Sequence, residues 1–150
     1  MSNAAVVPTY VVDTSVAVKW FVQKSESDLE KAIGLFEAAD QGRCRLGAPL
    51  LLVFEIANAL TSAHRLPIGD VTRSLDALRR LDLNLEPFSW ITLLRAVEIA
   101  AACDATIYDS YFLALALETG STLVTVDEAF LKKAARYPGV IHLRQLRWPA

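Results

Sequence analysis

The sequence predicts an α/β domain in which parallel strands alternate with helices, and three observations lead to it. A continuous apolar run, Tyr10-Val11-Val12, ends abruptly in Asp13, as suits a strand buried on both faces of a parallel sheet. Strand-like runs recur at Cys44-Arg45-Leu46-Gly47-Ala48, at Leu83-Asn84-Leu85-Glu86-Pro87, over residues 121–126 and over 140–143, with helical spacing between them. The length of 150 residues, 53% of them apolar, suits one domain with a sizeable core and leaves no room for a second. Strands alternating with helices imply right-handed crossovers that cover both faces of the sheet.

In chain order, residues 16–22 read as a first helix with Asp13 or Thr14 near its cap. Ser25-Glu26-Ser27-Asp28 reads as a break and cap, and Leu29, Ala32, Ile33, Leu35 and Phe36 mark a second helix to about Asp40. Gln41-Gly42 ends it, and the strand 44–48 is expected to stop at Pro49. Residues 50–60 read as a buried helix interrupted only by Glu55 and Asn58. After a turn at Leu66-Pro67, Ile68, Val71, Leu75, Leu78 and Leu81 form the apolar stripe of an amphipathic helix ending near Asp82. Ser89 caps a helix with Leu93, Leu94, Val97, Ile99, Ala100 and Ala101 facing the core. Residues 104–108 lead into Asp109-Ser110 and a further buried helix over 111–117, closed by Glu118-Thr119-Gly120. The fourth strand ends at Asp127; a short helix through Leu131 and Ala135, a Pro138-Gly139 turn and the fifth strand follow.

No apolar stretch reaches the roughly 18 residues of a membrane span. The start, Met1-Ser2-Asn3-Ala4-Ala5, lacks the basic and apolar regions of a secretory signal. Residues 1–8 are expected to form a flexible leader and the protein to be cytoplasmic. Cys44 and Cys103 stand alone, outside any zinc or disulfide spacing, and read as buried free thiols. A net charge of −2 argues against a passive nucleic-acid binder with a basic surface. The small basic groups, such as Arg79 with Arg80 and Lys132 with Lys133 and Arg136, read as solvated faces.

Four carboxylates stand out by their settings. Asp13 and Asp127 end strands, Asp109 starts a helix, and Glu55 lies within an apolar helix. Asp13, Asp109 and Asp127 each have the plainer role of a helix cap, Asn58 that of a core hydrogen-bonding group, and Thr125 that of an ordinary strand residue. Glu55 is harder to assign so, because a buried carboxylate needs a cation, a basic side chain or a polar cavity. No Lys or Arg lies within four residues of it. Asn58, at i+3, is expected to share its face. Acids gathered in one crevice repel one another unless a cation sits between them. Oxygen ligands without His or Cys favour magnesium or manganese, and such a site suits phosphodiester hydrolysis.

Val12-Asp13-Thr14-Ser15, Phe54-Glu55-Ile56-Ala57-Asn58-Ala59-Leu60, Tyr108-Asp109-Ser110-Tyr111 and Leu123-Val124-Thr125-Val126-Asp127 resemble, in order and spacing, the four motifs of the PIN domain. More narrowly, the chain resembles the compact VapC-type toxin ribonucleases of toxin–antitoxin pairs. The resemblance implies a three-layer fold with a five-stranded parallel sheet in the order 3-2-1-4-5. It implies that Asp13, Glu55, Asp109 and Asp127 bind metal while Ser15, Asn58 and Thr125 orient them or hold water. It also implies a magnesium- or manganese-dependent endoribonuclease acting on RNA, a homodimer, and an antitoxin partner that inserts a short basic segment near the metal. The large side chains Val18, Trp20, Phe21, Leu29 and Phe36 are the expected surplus for the dimer. Ser110 departs from the family, where Ala is common. His64 and His142 match no motif.

Other readings remain at this point. A non-catalytic RNA- or protein-binding module of the same fold would be expected to have lost some acids, and this chain keeps all four. A haloacid-dehalogenase-like phosphatase needs a second Asp two residues after the first, where Ser15 stands. A phospho-receiver domain lacks its paired acids and late Lys.

Overall fold

The computed structural model describes residues 6–22 and 28–147. Five parallel strands, β1 (Thr9–Val12), β2 (Arg45–Pro49), β3 (Leu83–Glu86), β4 (Thr122–Thr125) and β5 (Val140–His142), lie in the order β3-β2-β1-β4-β5. This is the expected fold class and strand order. Seven helices cover the sheet: α1 (Thr14–Ala17), α2 (Leu29–Asp40), α3 (Leu51–Asn58), α4 (Ile68–Arg80), α5 (Trp90–Cys103), α6 (Ile107–Thr119) and α7 (Glu128–Lys133). The sequence order reverses direction at β1, and its register against β4 aligns Val12 with Val124. The chain leaving β1 and the chain leaving β4 therefore emerge side by side at a topological switch point.

The core takes Val11 and Val12 from β1, Leu123 and Val124 from β4, and Leu52 and Ile56 from α3. α6 is buried from Ser110 through Ala116, all the way round its circumference. It runs through the middle of one helical layer and packs along α5, where Thr92 Oγ1 donates to Glu118 Oε2 at 2.7 Å.

Several local expectations are corrected. The first helix, expected over 16–22, is one α-turn followed by a 3-10 turn, Val18–Trp20. The indole of Trp20 is fixed by donating to Ala32 O at 2.9 Å. β2 runs through Pro49, which pairs with Glu86. Leu50 N donates to Glu86 O, so the missing donor of Pro49 faces the side where β1 has already ended, and costs the ladder nothing. α3 passes at Asn58 into a π-helical stretch, Ala59–Ala63. α6 begins at Ile107, because Thr106 Oγ1 accepts from Asp109 N at 3.1 Å and caps it.

On α5 the buried face is Thr92, Ala96, Ile99 and Cys103. Leu94, Val97 and Ala101, expected inside, are exposed, since the face that packs on α6 runs through Thr92, Ala96, Ile99 and Cys103 instead. Both cysteines are free and buried, as expected. Of the break expected over 25–28, residues 25–27 lie outside the described residues. Asp28 occupies the N-cap position of α2, but its carboxylate accepts from Arg144 Nε rather than from the helix. Residues 1–5 of the expected leader are likewise outside, whereas the carbonyl of Pro8 already accepts from Arg45 N. Among the described residues no helix is long and apolar enough to cross a membrane.

Candidate active site

Asp13 follows β1 and takes the N-cap position of α1, yet its side chain caps nothing. Its Oδ2 accepts instead from Ser15 Oγ at 2.5 Å and from Thr125 Oγ1 at 2.9 Å. Each hydroxyl has one hydrogen, and both are committed to the same carboxylate oxygen. The 3.3 Å approach between Ser15 Oγ and Thr125 Oγ1 therefore needs no proton of its own. Behind them, Val126 N donates to Ser15 Oγ at 3.2 Å and Asp127 N to Thr125 Oγ1 at 3.1 Å. Two peptide amides thus polarise two hydroxyls, which polarise one carboxylate. The same chain of bonds fastens the loop carrying Asp127 to the tip of β1.

Asp127 does cap a helix: its Oδ1 accepts from Phe130 N at 2.9 Å at the start of α7. Asp109 does not. Thr106 performs that task, and Asp109 sits in the first turn of α6. Glu55 projects from the middle of α3, and its Oε1 is buried without a hydrogen-bond partner.

Asp13, Glu55, Asp109 and Asp127 stand close enough to act on one another electrostatically. Burial raises the pKa of Asp13 most, and Asp127 adds to it, against the Ser15 and Thr125 hydroxyls and the Thr14 backbone. Glu55 is pushed up to about 7, first by burial and then by Asp13 and Asp109. The Thr14 hydroxyl draws Glu55 slightly down, although neither Thr14 Oγ1 nor Glu55 Oε1 meets hydrogen-bond geometry. Asp109 is raised by burial, Asp13 and Asp127, and lowered by the Thr106 hydroxyl and by Lys133. Acids whose proton affinity is raised by burial and by one another are groups that a cation would compete with protons for.

Asn58 is not drawn into this network. It lies about 60° further round the helix than Glu55, is exposed, and accepts from Ser62 Oγ through Oδ1 at 3.3 Å. Three residues near the acids escaped the sequence reading. Thr106 stands three residues before Asp109, the spacing of a helix cap and its third residue, and was readable on that ground. Thr14, though next to Asp13 in the chain, meets Glu55 only through the fold, and Lys133, which reads as part of a solvated basic group, meets Asp109 the same way.

The donor set fits a hard divalent cation: every candidate ligand is a carboxylate or hydroxyl oxygen, and one buried carboxylate oxygen lacks a partner. Among the described residues no group of three or more His, Cys, Asp or Glu side chains stands ready to hold a metal ion as the side chains are placed.

The strands and helices form a doubly covered parallel sheet with acidic side chains gathered at its switch point. The PIN domain family model matches residues 10–136, and the chain belongs to the PIN domain family. Solved structures share the fold at low identity. A toxin–antitoxin complex from Klebsiella pneumoniae has TM-score 0.67 at 20% identity, covering 91% of this chain and 99% of that one. VapC20 of Mycobacterium tuberculosis, a sarcin-ricin loop cleaving toxin, has TM-score 0.67 at 14% identity over 82% of this chain and 93% of its own. FitAcB from Neisseria gonorrhoeae has TM-score 0.68 at 16% identity over 91% and 99%. No curated protein matches the sequence. The family model establishes PIN domain membership, and these structures share the fold.

Proposed function

We propose that this protein is a magnesium- or manganese-dependent endoribonuclease, the toxin of a toxin–antitoxin pair, acting on RNA in the cytoplasm. The single observation that carries the reading is the convergence of Asp13, Glu55, Asp109 and Asp127 on one crevice, where burial and mutual repulsion raise three of them. Asp13, Glu55, Asp109 and Asp127 would hold the ion, which when bound supplies Lewis acidity at a phosphate and acidifies a water. Ser15 and Thr125 fix the Asp13 carboxylate, and their amide-polarised hydroxyls keep it oriented. The Thr106 cap holds the first turn of α6 and with it Asp109.

Protein partners are supported by apolar surface that the core does not use. Trp90, Ile91 and Leu94 on α5 are 71%, 76% and 64% exposed. They adjoin an apolar cavity of about 290 Å3 lined by Leu50, Phe54, Phe88, Ile107 and Tyr108. Large exposed apolar patches mark interaction sites, and a second copy of the chain is the occupant we assign. Val18, Trp20, Phe21, Leu29 and Phe36, the surplus expected on the first two helices, are all partly buried. An antitoxin that delivers a basic segment to the acidic crevice completes the reading.

The test is cleavage of total cellular RNA with manganese, magnesium or chelator, beside Asp13→Asn and Asp109→Asn purified identically. Discrete, metal-dependent products from the wild type, absent from both variants, are expected. Equal cleavage by the variants would assign the activity to a contaminant and overturn the reading.

A further inference from the structure

The crevice as described repels its own substrate: it gathers carboxylates in a chain of net charge −2, and RNA is a polyanion. A local cation at the rim would offset this, and several of the chain's bases are already matched elsewhere. Arg73 pairs with Asp70, Arg79 and Arg80 with Asp76, and Arg144 with Asp28 and Glu128. Lys133 differs. It is the last residue of α7, the helix capped by Asp127. Its Nζ donates at 2.8 Å to the carbonyl of Asp104, the left-handed residue that ends α5 five positions before Asp109. A carbonyl leaves the ammonium charge unneutralised, and an ammonium has two further hydrogens to give. Lys133 is exposed and makes no ion pair among the described residues, yet its charge is felt at Asp109.

We propose that Lys133, tethered to Asp104 O at the rim of the acidic crevice, holds a backbone phosphate of the nucleic acid next to the one at the carboxylates. This deepens the ribonuclease reading and rests on it. The tether restricts a side chain that is otherwise floppy, so the ammonium waits at a fixed place between α7 and the α5–α6 turn. A contact to phosphate positions the strand without selecting bases. Lys133 is thus a positioning residue for substrate, and its loss should raise KM while leaving kcat nearly unchanged.

The experiment compares wild type, Lys133→Met and Lys133→Arg on one single-stranded RNA oligonucleotide with manganese, across a range of salt. Lys133→Met is expected to raise KM about tenfold and to reduce the salt slope of log kcat/KM by about 0.7, one single-strand phosphate contact. Lys133→Arg should restore both. Binding of the same oligonucleotide with calcium, read by fluorescence anisotropy, carries the slope comparison without cleavage. If the wild type binds with a Lys133-dependent slope but never cleaves, the nuclease reading fails and the phosphate contact stands. An unchanged slope in Lys133→Met overturns the contact whatever cleavage does, and a lowered Tm with that unchanged slope assigns Lys133 to a purely structural staple. Absence of binding by wild type and variant overturns both.

Discussion

Thr125 Oγ1 lies 2.9 Å from Asp13 Oδ2, joining residues 112 positions apart at the tips of adjacent strands. The bond belongs to the β1–β4 register, since Asp13 N also donates to Val124 O at 3.0 Å. Through it a sheet contact becomes a property of the acid.

Thr125→Val keeps the shape and removes the hydroxyl. It orphans Asp127 N and withdraws one of two hydroxyls from the Asp13 carboxylate, so a stability loss of about 1 to 2 kcal/mol is expected. Urea unfolding at neutral pH measures it. Manganese affinity should fall with it, and a variant that matches wild type in both would show that the hydroxyl is idle.

The acids set a pH dependence with a definite sign. Glu55 has a folded pKa near 7 against an ordinary 4.5, and Asp13 and Asp109 are also raised. The folded state therefore binds more protons than the unfolded one in this window, and stability of the metal-free protein falls as pH rises from about 4.5 to about 7. Thermal melts in chelator should show that decline. Glu55→Gln should flatten it, and a decline of wild-type steepness in that variant would remove Glu55 from the account.

Manganese competes with the same protons. Added at pH 8 it should raise the melting temperature, by a free energy of about 2.7 kcal/mol at a hundredfold excess over Kd. At pH 5 the gain should shrink. An equal gain at both values would place the ion away from the raised carboxylates.

Ser110 is fully buried on α6, and its hydroxyl has no partner. Replacing a buried, unsatisfied hydroxyl by a methyl group relieves its desolvation, so Ser110→Ala is expected to stabilise by about 1 kcal/mol. Destabilisation in urea would reveal a partner for that oxygen.

Ile91→Glu combined with Leu94→Glu places two charges on the exposed face of α5. Sedimentation should find a dimer for the wild type and a monomer for the variant, with little change in monomer stability because both sites are exposed. A variant that still dimerises would move the interface off α5.

Much of this was legible because strand identity and strand ends are local properties. Tyr10-Val11-Val12 and Leu123-Val124 announce buried strands, and the acids follow where the apolar runs stop. What escaped depends on contacts distant in sequence. The choice between Thr92-Ala96-Ile99-Cys103 and Leu94-Val97 as the buried face of α5 is made by where α6 packs, a contact distant from the local pattern. Asn58 looked like a partner of Glu55 from spacing alone, but the helix turns it toward solvent and Ser62. The short α1 followed by a 3-10 turn was hidden because Val16, Ala17, Val18, Trp20, Phe21 and Val22 make a stretch too short and apolar for its spacing to fix a helical register.

The pairing of β1 with β4 also sets a timetable. A chain made from its N-terminus produces β1, β2 and β3 well before β4, so the growing polypeptide has Asp13 but neither Thr125 beside it nor Asp127. Pairings distant in sequence form late because their loops must close first. The Asp13–Thr125 bond, and with it the full set of acids, therefore forms only once β4 has been made and has paired with β1.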